Sequence, residues 1–352
     1  MARRSRTTAT ALLALVVTAA TGCGGGGGWK APVKGQVAVL VEAGEDDPGE
    51  RAAWLGFGGS VDGLAFGPDG TVYALGAGLV GIDGRRTVRM LLGPQAGGAG
   101  GLVVRRDGSF VTGSGGTVVS LKPNGKATVL AGAAGPERDP GAPVPGSAAA
   151  TGFHFGNTGA TPFGERHDGS VLLADGDVVW SLKDARLTRV YQAPDTPSKG
   201  RRPAIFVGDS TVDGTGTAWV AAVSPADEGT VGDIVTIAPG GTAVRPSLPA
   251  RAAGVTESLA SLSLLWMAGD GANGVYAHAT SKGNDYVLHL RPGSAQLVAR
   301  HRSSSADSLT CDMPHPVDAA NAPCPLPYAL AYHAGQLVLG GETHYVLTIA
   351  LS

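Results

Sequence analysis

The chain has 352 residues, with 27 Lys and Arg against 29 Asp and Glu, 56 glycines, 23 prolines and three cysteines. Glycine and proline at this density exclude a helical bundle, and 43% hydrophobic content excludes a disordered chain. A slightly acidic balance is a poor match to nucleic acid, whose backbone demands clustered cations, so no nucleic-acid partner is expected.

At the start, Arg3, Arg4 and Arg6 precede an apolar stretch from Ala9 to Ala20, which leads into Ala20-Thr21-Gly22-Cys23. The stretch is shorter than the roughly 20 apolar residues of a spanning helix, and glycines follow it where a stop-transfer segment carries cations. These residues resemble the lipobox of bacterial lipoproteins, with Ala20 in place of the usual leucine. The resemblance implies a signal peptide over 1–22, acylation of Cys23, and a place on the extracytoplasmic face of a cell membrane. The plainer alternative is a secretory peptide in which Cys23 is incidental. One acyl chain holds a protein only marginally, whereas several hold it stably. Gly24–Gly28 open a flexible tether over 23–34, and loss of the three arginines would leave the exported domain more acidic.

From 35 to 352 one pattern recurs: a short apolar run, a turn built on Asp-Gly or a similar pair, then a second apolar run. Leu64–Tyr73 is the clearest copy, with Pro68-Asp69-Gly70-Thr71 at its centre. Further copies turn at Gly108, Gly169, Gly216, Gly274 and Gly335. A unit of roughly 40 residues holding several short strands predicts blades around an axis, here an all-β, six-bladed β-propeller. The second copy reads in full as inner strand Gly101–Val104, then Ser109–Thr112, Thr117–Leu121 and an outer strand Ala127–Leu130. The last copy stops after three strands, at Ser352, while Val37–Leu40 reads as an outer strand with no blade before it. An N-terminal strand completing the last blade would close the ring and cover an open edge.

Cys311 and Cys324 remain as an even pair in the connection to the last copy, and in an exported chain they are expected to form a disulfide. A metal site using both thiols and His315 would lack an evident fourth ligand. The sequence carries no Gly-x-Ser-x-Gly elbow, no phosphate-cradling loop and no His-Glu-x-x-His. Asp175-Gly176-Asp177 and Asp270–Gly274 are too poor in carboxylates for calcium loops and read as Asx-type turns. Arg85-Arg86, Arg105-Arg106 and Arg201-Arg202 read as solvated hairpin charges.

The unit Phe66–Tyr73 followed by Leu79–Asp83 resembles the NHL family of propellers, although that family's Asn-x-Arg-Ile is replaced by Ala74-Leu75-Gly76. The resemblance implies a fold and a tendency to bind. Similar propellers include gluconolactonase-like, regucalcin-like and streptogramin lyase-like enzymes, which hold a divalent metal in the central channel. Here only Glu165 and nearby Asp209 stand as acids at or beside the predicted axis, too few for such a site, and no cofactor is expected. The expected activity is therefore a noncatalytic ligand- or protein-binding module, with a metal-dependent lactonase or lyase as the alternative. Its site is expected on the face where inner strands begin, because inter-blade insertions gather there. The candidate residues are Phe153, His154, Phe155 and Asn157 in the insertion over 134–160, with Asp285, Glu342 and His344 in later loops; Asp227, Glu228 and Lys282 lie in the same loops. The partner is expected to be a cell-envelope protein, peptide or glycan, bound by a monomer.

Overall fold

A computed structural model describes residues 30–42, 61, 63–76, 78–92, 101–114, 116–122, 125–135, 137–138, 143–156, 159–193, 204–223, 229–303, 310–341 and 343–352. The signal peptide, Cys23, Asn157, Arg201, Arg202, Asp227, Glu228 and Glu342 lie outside the described residues. The propeller falls within one compact unit, Ala31–Ser352.

Six antiparallel sheets make six blades, each led by an inner strand: Gly63–Phe66, Leu102–Val104, Thr161–Glu165, Ala204–Val212, Ser263–Gly269 and Ala329–His333. These inner strands contact one another in ring order, and the last returns to the first. The sixth blade runs Ala329–His333, Gln336–Gly340, Tyr345–Ala350 and then Gln36–Glu42, so the N-terminal strand supplies the piece missing at the C-terminus. Val37 pairs with Ile349 and Glu42 with Tyr345, with a bulge between Val39 and Val41.

The core is divided by seam. Six buried clusters lie one between each pair of neighbouring blades. Because side chains alternate across a strand, each strand feeds two seams: Val171 and Leu173 face the second blade, while Leu172 and Ala174 face the fourth. Both faces are thus apolar, which explains why the sequence shows apolar runs and little polar alternation.

Four of the first turns share one geometry. The amide of the fourth turn residue donates to the carbonyl of the first, and Gly70, Gly108, Gly169 and Gly216 stand there at φ +82°, +76°, +79° and +83°. A side chain is strained at such angles, so glycine is required. The fifth blade departs from the predicted register: its left-handed residue is Gly271 at φ +75°, and Gly274 is not left-handed. In the fourth blade the inner strand is the longest of the six, running from Ala204 to Val212, with its pairing slipping between Ile205 and Ser210.

Two additions were not predicted. Ser147–Ala149 adds a fifth strand to the third blade. Val317–Asp318 adds one to the sixth, pairing with Gln36 and Val37 on the side away from Tyr345–Ala350. Val317–Asp318 lies inside the loop closed by the Cys311–Cys324 disulfide, and that loop is stitched down further. Ala319 N donates to Gly35 O, Cys311 N donates to Glu42 Oε1, and Ala322 N donates to Arg300 O on the outer strand of the fifth blade.

Candidate functional site

The inner strands enclose a cavity of about 440 Å³ lined by residues of all six blades. Its lining extends to the turns that follow the inner strands, at Arg106, Gly214, Gly271 and Ala334. We call this the turn end of the channel. One wall is aromatic. Phe66, Trp266, Tyr332 and His333 line it, the Phe66 and His333 rings stand 5.5 Å apart, and Trp266 leans on Tyr328 at 5.9 Å. The first and sixth blades supply Phe66, Tyr332 and His333 from the ends of their inner strands, and the fifth supplies Trp266 from the middle of its own.

The other wall is polar, and its groups are tied from blade to blade. Arg105 Nε donates to Glu165 Oε1 at 3.1 Å, and the Arg106 amide reaches Glu165 Oε2 at 3.4 Å. The Arg106 guanidinium donates to His167 O at 3.3 Å and lies 2.8 Å from His167 Nδ1. His167 Nε2 in turn lies 2.7 Å from Gly214 O. A carbonyl can only accept, so Nε2 carries the proton and Nδ1 accepts from Arg106. Arg166 is buried and donates to Gly216 O and Ile237 O of the fourth blade; burial lowers its pKa. Arg86 Nε donates to Leu40 O of the closing strand. The Arg85-Arg86 and Arg105-Arg106 pairs are therefore not merely solvated hairpin charges: Arg86, Arg105 and Arg106 each cross a seam.

The acids lining the channel are already satisfied by the protein. Glu165 is held as above, and Asp213 accepts from the amides of Thr215 and Thr217, the Thr215 hydroxyl and Trp219 Nε1. Asp213 was not foreseen; its place at the end of an extended inner strand hid it. At the neighbouring turn, Asp270 is buried. Burial pushes its pKa up, but hydrogen bonds from His289, Ala272, Arg291 and Gly274 hold it well below the usual carboxylate range. His289 stacks on Tyr276 at 4.5 Å, and burial, with the Tyr332 and Asp270 charges, pushes Tyr276 up to about 12.

Asp270 forms the Asx-type turn expected of it, bonding the amides two and four residues on. Asp175 does not. Its carboxylate is fully buried and accepts from Gly156 N and Trp180 Nε1, pinning the long insertion over the third blade, and burial raises its pKa. No three His, Cys, Asp or Glu side chains gather to share an ion among the described residues.

The candidates proposed from sequence are dispersed. Phe155 is buried at 3% exposure and Phe153 is half-buried, their rings 5.2 Å apart, with Phe153 against Trp180 at 5.1 Å. Both serve the seam between the second and third blades, as large apolar rings do when a loop folds over a sheet. His154 is exposed beside them. Asp285 is half-buried in a strand of the fifth blade, paired across to Thr280 and His301, and half-buried His344 precedes the third strand of the sixth. None of these residues lines the channel. The aromatic wall was not foreseen, though a signal existed: Phe66 and Tyr332 stand in the apolar runs just before the Asp69-Gly70 and Ala334-Gly335 turns.

No family model matches the chain, and no curated protein matches it. Among solved structures it is similar to a protein of unknown function from Bacteroides thetaiotaomicron, with TM-score 0.58, 13% identity and 90% of this chain aligned to 75% of that one. It is similar also to a gluconolactonase from Xanthomonas campestris, with TM-score 0.54, 12% identity and 92% of each chain covered. A virginiamycin B lyase from Staphylococcus aureus aligns at TM-score 0.46 and 10% identity, over 82% of this chain and 80% of that one. At such identities the likeness is one of fold.

Proposed function

We propose that the chain is a noncatalytic binding or scaffolding propeller of NHL type, held by acyl chains on Cys23 at the extracytoplasmic face of a cell membrane. Its ligand, a cell-envelope protein, peptide or glycan, engages the aromatic wall at the turn end of the channel, and the protein acts as a monomer. One observation carries this reading. The acids facing the cavity, Glu165 and Asp213, spend their oxygens on Arg105, Arg106, Thr215, Thr217 and Trp219, whereas the rings opposite offer apolar faces suited to stacking.

A metal-dependent lactonase or lyase needs carboxylates open to an ion, and here the ion would compete with a guanidinium for Glu165. The experiment is metal analysis of the purified full-length chain after exposure to calcium and zinc, with thermal shifts before and after chelation. The expected result is no stoichiometric ion and no chelator-reversible shift. One ion per chain, lost in Glu165→Gln, would overturn the binding reading in favour of the enzyme.

A further inference from the structure

The chain enters the ring at the same end as the turns that line the cavity. Gly35 N donates to Ala350 O at 2.8 Å; Ala350 lies abreast of Gln336, next to the Ala334-Gly335 turn, and Ala334 lines the cavity. The closing strand then runs away from this end, until Glu42 stands abreast of Tyr345. Strands within each blade are antiparallel, so the links from third to fourth strand, such as Asp83–Thr87 and Lys122–Lys126, return to the same end.

Among the described residues, exposed cations outnumber exposed acids on this surface, although the chain as a whole is slightly acidic. Lys34, Arg85, Arg106, Lys122, Lys126 and Arg186 are exposed there, and Lys34 and Lys122 make no ion pair among the described residues. Among the exposed acids there, Asp69 accepts from Thr71, Asp107 from Ser109, Asp168 from Ser170 and Lys183, and Asp318 from Ala320 and Asn321, while Asp184 stands exposed in the same link as Arg186.

We propose that the turn end is the membrane-facing surface of the protein and that its cations lie against anionic lipid headgroups of the membrane to which Cys23 is anchored. The inference rests on that anchoring. A Gly-rich tether over 23–34 has a typical reach of about 20 Å, and the far end of the ring stands a further strand length away, about 23 Å for seven residues. The turn end is therefore the one the tether brings to the bilayer. Basic residues there add electrostatic attraction to anionic headgroups to the hold of the acyl chains, and set which end of the ring faces the bilayer. A membrane-side ligand would meet the aromatic wall directly.

The test uses the acylated full-length chain in vesicles of phosphatidylcholine with phosphatidylglycerol, some headgroups carrying a nitroxide quencher. A fluorophore is attached at Lys122→Cys on the turn end or, in a second sample, at Lys282→Cys, in an exposed link between second and third strands at the opposite end. Co-flotation with the vesicles is read first. The expected result is flotation of both samples, with quenching at position 122 roughly twofold or more above that at 282, and the excess reduced by salt. Flotation with equal quenching, or with stronger quenching at 282, overturns the membrane-facing assignment while leaving the anchor intact. Absence of flotation overturns the anchor, and the assignment with it.

Discussion

His278 shows how a single buried group governs behaviour in solution. It is 1% exposed on the second strand of the fifth blade; its Nε2 donates to Leu326 O at 3.1 Å, and its Nδ1 has no hydrogen-bond partner among the described residues. Burial lowers its pKa to about 4. An unfolded chain takes up this proton near pH 6.5, so stability is fully present above that value and is lost as pH falls toward 4, by an amount on the order of 3 kcal/mol. The depressed carboxylates Asp168, Glu257 and Asp270 lose their contribution only lower, below about pH 4.5. Chemical denaturation between pH 4.5 and 7.5 is expected to show stability falling with pH in the wild type and a flatter profile in His278→Leu. Parallel profiles would contradict this account. Little of this was legible beforehand: a histidine inside an apolar strand reads as core, but its orphaned nitrogen depends on the loop from 311 to 328 folding over it. Likewise, the arginines at 86, 105 and 106 look like surface charge until neighbouring blades supply their acceptors.

Among the elements, the closing strand and the disulfide loop act together. Gln36–Glu42 is paired on one side with Tyr345–Ala350 and on the other with Val317–Asp318, and Cys311 and Cys324 are buried in the same cluster as Val37 and Val39. Replacing both cysteines by serine is expected to cost about 3 kcal/mol, the chain-entropy value for a loop of this size. The loss should be read most sharply as faster amide exchange in Gln36–Glu42 than in the second and third blades. Uniform exchange across the blades would show the loop to be a passive insertion. Deleting 35–41 goes further and is expected to leave no folded monomer, since the sixth sheet would lose its outer strands and two seams their apolar cover. The strands themselves were legible because tight turns demand Gly and apolar runs bounded by them leave few alternatives. The closing strand was legible because the last copy lacked one. The two added strands, Ser147–Ala149 and Val317–Asp318, were not: edge strands of two or three residues are set by the partner they meet, not by their own pattern.

At the scale of the molecule, the ring turns local repetition into a shared interior. Each blade contributes one inner strand, and the channel's character follows from which residues stand there: rings from the first, fifth and sixth blades, and charged groups tied up in hydrogen bonds from the second, third and fourth. The site was harder to read than the fold because blade count follows from spacing, whereas the channel wall depends on which inner-strand side chains face the axis. Residues 153–155 drew attention as an aromatic cluster in a long loop, yet Phe153 and Phe155 pack inward because that loop covers a seam. The most direct test of the binding account is a thermal-shift screen of cell-envelope glycans and peptides against the wild type and Trp266→Ala/Tyr332→Ala. Both side chains are half-buried at the cavity, so the variant should still fold, with unfolding confirmed as cooperative. The account predicts ligands that stabilise the wild type and no longer stabilise the variant; ligands that stabilise both equally would place binding elsewhere and contradict it.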